Sequence, residues 1–491
     1  MPNLNFSTEY LTRLARLRDD AYRHREAQQY SDSFTLYART AWALIEPTTP
    51  LVSGRHFDAL CEYLTAVSLG QIRRLIINIM PRIGKSSLVS VLWPTWEWAR
   101  DHATSRWMFA SYAEALSTRD SVRRRNIINT EWYRFHWGEH VQLAADVNLK
   151  DEYSSTNSGS MYSTWIGGGT GRGGKRLVID DPHSPKKALS DAERETAVEY
   201  IRNVLMSRLD NPSTDSIVMI MQRLHENDAA GEFLADGGWT HLDLQAEAEE
   251  RTIISMPITH NDWIREKGDL LEPVRFNQEV LDTLKREMGS VAYSGQYLQR
   301  PAPKTGIMFN PDWWQFYDVL PQCELVIMSV DCAFKALKTS DYVSLHVYGF
   351  NGPRTYLLDR VTDHLGFTAT KAAIRSMMAR WRLSHVLIED TANGPAVIEE
   401  LSREFAGIIA VKPEGGKIAR AQAATADVEA GNVYLPQGAE WTLSLMQLFA
   451  KFPAVKNDDD VDAFTQAVNW RRSRVDYSMF TNSVQVYVPH A

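Results

Sequence analysis

The sequence predicts an α/β protein of two successive units, the first built on a parallel sheet. Three observations predict it. Between Leu75 and Trp93 an isoleucine-rich run, a short loop ending Gly84-Lys85-Ser86-Ser87 and an apolar stretch at helical spacing follow one another. A second apolar strand, Arg176 to Ile179, ends on the acid pair Asp180-Asp181. From Glu324 onward the pattern changes to three strands with short turns, a helix, a strand and a helix, an order β-β-β-α-β-α.

In chain order, residues 1–55 form a helical entry: a polar, Arg-rich stretch through Glu26, then FTLYARTAWALIEP with aromatics at helical spacing until Pro47 breaks the pattern. His56 to Leu69 reads as an amphipathic helix leading into the first strand. In this upstream position Tyr37, Trp42 and His56 are candidates for contact with a nucleotide base.

Leu75 to Ile79 reads as a strand buried on both faces. The loop that follows, Pro81, Arg82, Ile83, Gly84, Lys85, Ser86 and Ser87, matches the end of a P-loop, where backbone N–H groups and the positive end of the next helix cradle phosphates. Lys85 would reach the terminal phosphates of ATP and Ser86 would hold Mg2+. The full pattern asks for glycine where Ile79 stands. A tight turn capped by Ser86 and Ser87 is the plain structural alternative.

Arg106 to Tyr112 reads as a strand, and the helix after it carries Arg119, Arg123, Arg124 and Arg125. This cluster is either a solvated basic face, a DNA contact or the source of an arginine finger, and the sequence does not choose among its members. Asp180-Asp181 follows Lys85 by about 95 residues, as a Walker B pair would: the first acid holds the metal and the second orients the attacking water. Glycines from Gly167 to Gly174 form a loop before it. The strand SIVMIM ends at Gln222, placed to sense the γ-phosphate. Prolines 273, 301 and 303 punctuate a stretch read as linker or subdomain.

The second unit has the RNase H-like order. Its chemistry needs carboxylates converging from the first strand, the fourth strand and a late helix, so that two metal ions about 4 Å apart can serve phosphodiester hydrolysis. Asp331 ends the first strand, Glu389 and Asp390 end the fourth, and Asp458, Asp459, Asp460 and Asp462 lie on the late helix. Asp458 and Asp462 are four apart and share a face. The expected ligands are Asp331, Glu389 and acids among Asp458, Asp459 and Asp462, with Mg2+ or Mn2+ as the metal.

Composition sets bounds on this reading. A chain of 491 residues exceeds one core. Its net charge of −8 excludes a uniformly basic coat, though local basic patches still serve nucleic acid. Cys61, Cys323 and Cys332 show neither a pairing pattern nor metal-ligand spacing, as expected in a reducing cytoplasm. No signal peptide and no apolar run near 20 residues is read from the sequence. The expected organisation is a helical segment 1–55, a P-loop (ASCE-type) ATPase domain 56–245, a linker or subdomain 246–305, an RNase H-like α/β nuclease domain 306–478 and a tail 479–491.

With a P-loop unit first and an RNase H-like unit second, the chain resembles the large terminase subunit of tailed bacteriophages. The motifs that carry the resemblance are RRLIINIMPRIGKSSLVSVLWPTWEW, LVIDDPH, IMQRLHENDAAGEF, SVDCAFK with SDY, VLIED and NDDDVDAFTQAV. It implies an ATP-driven motor that packages double-stranded DNA into a procapsid and a nuclease that cuts concatemers. It also implies docking on a portal protein, a small terminase subunit as partner, and a homo-oligomeric ring when docked against a monomer in free solution. The place of action would be the cytoplasm of an infected bacterium, with no membrane and no residence in the mature virion. Asp181 stands where many relatives have glutamate, and Asn457 where the third nuclease motif often begins with histidine. A helicase-like ATPase fused to a repair nuclease, and a nuclease-dead docking subunit, are the competing readings.

Overall fold

The computed structural model describes residues 8–169, 171–185, 187–301, 308–320, 322–332, 342–391, 394–413, 415–455 and 457–481. Chain contacts divide it into two compact units, residues 1–282 with 294–302, and residues 283–293 with 303–491.

The first unit begins with helices α1 (Thr8–Asp32), α2 (Phe34–Ile45) and α3 (Arg55–Ser68), then β1 (Arg74–Ile79), a π-helical turn (Ser87–Leu92) running into α4 (Trp93–Asp101), and β2 (Arg106–Ser111). There follow α5 (Glu114–Ile128), α6 (Glu131–Trp137), β3 (Leu143–Asn148), β4 (Glu152–Ser155), β5 (Ser160–Trp165), β6 (Arg176–Asp180) and α7 (Asp191–Asn203). The unit continues through β7 (Ser216–Met221), α8 (Ala229–Asp236), β8 (Thr240–Leu244) and a two-stranded ribbon of β9 (Thr252–Ile254) and β10 (Trp263–Arg265).

Its main sheet has the order β3-β4-β5-β2-β6-β7-β1-β8. From β5 to β8 every pairing is parallel. The isoleucine-rich run therefore sits centrally and needs apolar side chains on both faces, which is why it does not alternate. β7 lies between the P-loop strand β1 and the acid-bearing strand β6, the additional-strand arrangement expected of an ASCE sheet. One face packs Ile76, Met108, Ile179, Ile217 and Met219 against Val198, Ile201 and Phe233 of α7 and α8. Each such side chain contributes about 1.5–3 kcal/mol when fully buried. In a parallel sheet all the strand C-termini open on one edge, and that edge collects Met80 to Lys85, Asp180-Asp181 and Gln222.

The second unit contains the segment 283–293, where α9 (Gln278–Met288) ends and α10 (Ser290–Gln296) begins. It goes on with β11 (Gln315–Tyr317), β12 (Leu325–Asp331), β13 (Tyr342–Asn351), β14 (Arg354–His364), α11 (Phe367–Arg380), β15 (His385–Glu389) and α12 (Gly394–Leu401). The last elements are β16 (Ile408–Val411), α13 (Lys417–Glu429), β17 (Val433–Pro436), α14 (Thr442–Lys451) and α15 (Asp459–Thr481). The sheet order is β11-β17-β14-β13-β12-β15-β16, with β13 antiparallel to both neighbours and β12, β15 and β16 parallel.

Strand alternation assigns β12 two faces. Met328 and Val330 pack with Ile374, Met377, Val397 and Leu401 of α11 and α12. Ile327 packs on the other side with Phe449, Phe464 and the small residues Ala421 and Ala424. Asp331 has the parity of Ile327 and so falls on the α15 face. Of the stretch 246–305 read as linker or subdomain, residues 283–293 cluster with the second unit and the other described residues with the first. The expected boundary at residue 306 lies outside the described residues, as do Lys335 and Asp341 of the SVDCAFK and SDY motifs. Helix α15 runs on to Thr481, past the expected domain end at 478.

Candidate active sites

At the C-terminal edge of the first sheet lies a cavity of about 640 Å³. It is lined by Pro81, Arg82, Gly84, Lys85, Ser86 and Ser87 of the loop, by Asp180 and Asp181, and by Gln222. Ile83, expected among the binding residues, is buried instead and does not line it. The loop is held by positive φ at Arg82 (+64°) and Gly84 (+80°). At Gly84 a Cβ would come within 2.7 Å of the Trp42 ring, so glycine is required there on two counts.

Strand β6 delivers two acids that meet different partners. Asp180 is buried; its Oδ1 accepts from Ser86 Oγ at 3.1 Å and its Oδ2 from Ser90 Oγ at 2.7 Å. Ser86 and Ser90 are one helical turn apart, which is why both reach the same carboxylate. Burial, with Asp181 and Asp120 nearby, pushes the Asp180 carboxyl up to about 7. Asp181, at φ +44°, turns away from its neighbour and accepts from Lys85 Nζ at 2.6 Å. Gln222, at the end of β7, is buried at the cavity wall.

The arginine cluster of α5 separates by helical position. Arg119 and Arg123 line the cavity; Arg119 donates to Asp120 twice at 3.0 Å, and Arg123 to Ser87 Oγ at 3.1 Å and to Glu46. Arg124 points the other way and is 0 % exposed. It donates to the Ser90 carbonyl at 2.5 Å and Ser163 Oγ at 2.6 Å, and lies 3.5 Å from the Phe109 ring centre. Arg124 is a core cation, which corrects its candidacy as a finger or DNA contact. Arg125 donates to the Leu149 carbonyl at 2.7 Å.

The base-contact candidates are corrected as well. Tyr37 is buried and donates to Thr95 Oγ1 at 2.9 Å, His56 is buried, and the Trp42 indole donates to the Thr49 carbonyl at 3.0 Å; none lines the cavity. Asp120 and His183 line it without having been singled out from sequence. His183 Nε2 accepts from the Ala229 N–H at 2.9 Å, and burial lowers the imidazole to about 4. Its place in LVIDDPH, two residues after Asp181, was the available signal.

In the second unit, Asp331 and Glu389 end the neighbouring parallel strands β12 and β15. Helix α15 is pinned over them by Gln466, whose Nε2 donates to Ser329 Oγ at 2.9 Å and to the Leu387 carbonyl at 3.3 Å. Burial, then Asp462, Glu389 and Asp459 together, push the Asp331 carboxyl well above the usual range, and burial raises Asp459 also. Glu389 accepts from Thr391 Oγ1 at 2.8 Å. Asp458 precedes the helix, and its carbonyl accepts from the Val461 and Asp462 N–H groups at 2.8 and 3.1 Å. Lys417 Nζ lies 2.5 Å from both Asp458 Oδ1 and Asp462 Oδ2, and Arg420 Nη2 lies 2.8 Å from Asp462 Oδ1.

Asp460, one of the acids read from sequence as supplying the third nuclease group, faces away from this cluster. It accepts from Ser344 Oγ at 2.8 Å, His346 Nε2 at 2.9 Å and both Nε and Nη2 of Arg360 at 2.9 and 2.5 Å. Although burial opposes it, these partners hold the Asp460 carboxyl far below the ordinary range. It is a structural anchor for β13 and β14.

Among the described residues no three His, Cys, Asp or Glu side chains are already drawn around one metal position. The chemistry of the acid set nonetheless fits a hard divalent cation: four carboxylates share one electrostatic neighbourhood, all donors are oxygens, and Asp331 is buried among like charges.

Residues 328–470 match the terminase RNase H-like domain family. This part of the chain is similar to terminase RNase H-like domains. No curated protein matches the sequence. Over both units the chain is similar in fold to the large terminase of a thermophilic bacteriophage, at 13% identity and a TM-score of 0.53, covering 86% of this chain and 99% of that one. The same phage protein in complex with ADP gives 12% identity and 0.51, and with ATP-γ-S 14% and 0.50, each covering 85% and 98%. At these identities the likeness is one of fold.

Proposed function

We propose that the chain is a viral DNA-packaging motor subunit, an ATP-hydrolysing translocase of double-stranded DNA joined to a metal-dependent endonuclease that cuts concatemeric DNA. The observation that carries it is the pair of acid-bearing strand ends, Asp180-Asp181 beside a P-loop in one unit and Asp331 with Glu389 under α15 in the terminase RNase H-like domain.

In the first site Lys85 leaves Asp181 for the terminal phosphates of ATP, and the freed Asp181 orients the attacking water. Ser86 and Asp180 would hold magnesium, which neutralises charge on the phosphate oxygens. Arg119 and Arg123 reach the same cavity from their own chain and supply further positive charge, with Gln222 at the wall as sensor. In the second site Asp331, Glu389, Asp458, Asp459 and Asp462 would hold Mg2+ or Mn2+, two ions as this chemistry uses elsewhere, to activate water and stabilise the leaving oxygen. The portal protein, the small terminase subunit, a ring of copies on the procapsid and the cytoplasm of an infected bacterium complete the proposal. Among the described residues no helix is long and apolar enough to cross a membrane.

The helicase-like reading needs a second motor domain. Between β8 and β12 the described elements are a two-stranded ribbon, α9, α10, one short strand and a 3-10 turn, which disfavours it. The deciding experiment uses the full chain. Lys85→Ala should lose ATP hydrolysis and keep manganese-dependent plasmid cleavage, and Asp331→Asn should do the reverse. Loss of both activities in either folded variant, or of neither, overturns the two-site reading.

A further inference from the structure

The acid cluster of the second unit holds a cation of the protein's own. Lys417 is the first residue of α13 and follows Gly415 and Gly416, the former at φ +79°. Its ammonium bridges two carboxylates one helical turn apart, at 2.5 Å from Asp458 Oδ1 and 2.5 Å from Asp462 Oδ2. Arg420, one turn further along α13, engages the other oxygen of Asp462 at 2.8 Å.

Carboxylates gathered beside Asp331, Glu389 and Asp459 repel one another unless a cation lies among them. A bridging ammonium and an oxygen-ligated divalent ion meet this need with the same lone pairs, so the two exclude each other at Asp458 Oδ1 and Asp462 Oδ2. The Lys417 side chain is 36% exposed, its stem is long, and two glycines precede it, so it has a path into solvent when it loses its partners.

We infer that Lys417 is a built-in counter-ion of Asp458 and Asp462 that competes with one of the nuclease's divalent cations, so that metal loading requires its displacement. The inference rests on the reading of this cluster as a nuclease metal site. Lys417 is a positioning residue here: it sets which acids are available as ligands.

The test is Mn2+ binding to the full chain without DNA, followed by electron paramagnetic resonance of free Mn2+, with thermal unfolding as a second readout. Lys417→Met keeps the stem and removes the charge, and Lys417→Gln is its substitute should the methionine variant fail to fold. Either should bind Mn2+ about ten-fold more tightly than the parent, melt at lower temperature without added metal, and recover at saturating Mn2+. Lys417→Arg should bind no more tightly than the parent. If the parent binds no Mn2+, or Asp331→Asn binds it equally, the metal-site reading itself fails. If the parent binds, Asp331→Asn loses binding, and neither neutral variant gains affinity, the lysine inference alone is overturned.

Discussion

Lys85 Nζ lies 2.6 Å from Asp181 Oδ1, which ties the loop after β1 to the end of β6, two strands away in the sheet. In the proposed reaction the ammonium serves phosphate and the acid orients water, so nucleotide binding would have to separate them. Lys85→Ala should abolish ATP hydrolysis with the fold intact, because the ammonium acts on developing phosphoryl charge. Asp181→Asn should still bind ATP–magnesium, with Lys85 released, and hydrolyse it at least about 100-fold more slowly. Asp180→Asn should weaken binding too, since Asp180 holds Ser86 and Ser90. A fluorescent ATP analogue and steady-state turnover separate the roles; equal binding loss in both aspartate variants contradicts the division.

Arg119 and Arg124 are five residues apart on one helix and have different work. Arg124→Ala should destabilise the first unit by about 3 kcal/mol, because it removes a fully buried cation from the Ser90 carbonyl, Ser163 and the Phe109 ring. Arg119→Ala should cost about 1 kcal/mol or less in stability, since half its side chain is in solvent, while lowering ATP turnover. Urea unfolding and ATPase rates on both variants check this, and matching profiles contradict it.

Within the acid run 458–462, adjacent residues should behave in opposite ways. Asp460→Asn should destabilise the second unit by about 3 kcal/mol, leaving Arg360 and His346 without their carboxylate. Asp459→Asn should leave stability unchanged or raise it, because it relieves repulsion with Asp331, and should remove metal-dependent cleavage. Denaturant midpoints and plasmid cleavage measure the two effects.

His183 gives the first unit an acid sensitivity with a defined sign. Burial lowers its pKa from the ordinary 6.5 to about 4, so between those values the unfolded chain binds a proton that the folded one does not. Stability therefore falls as pH drops from about 6.5 to about 4, by roughly 3 kcal/mol at most. His183→Gln keeps an acceptor for the Ala229 N–H and removes the titration. Its melting temperature should decline less over this window than the parent's. Parallel curves would count against the assignment.

Much of this architecture was legible because it is local. The unalternating isoleucine run marked a central parallel strand, and Gly84-Lys85-Ser86 marked the loop. The order of strands from Leu325 onward marked the second sheet, since period and punctuation are written in neighbouring residues. The strands β3 and β4 were not legible. They are short and lie at the sheet's margin, β3 without a buried residue and β4 largely polar, so partner strands rather than hydrophobic pattern stabilise them.

The sequence by itself determined that Asp180 and Asp181 end one strand, that Asp331 and Glu389 end two others, and that four aspartates crowd one helix start. Only the tertiary structure decided what each acid meets. Position on a helix sends Asp460 to His346 and Arg360 while Asp458 and Asp462 turn to Lys417, a residue more than 40 positions away. Parity along β12 puts Asp331 under α15, and one residue on α5 divides the cavity-lining Arg123 from the buried Arg124. Such assignments depend on which surface each face packs against, and long-range packing is not encoded in local spacing.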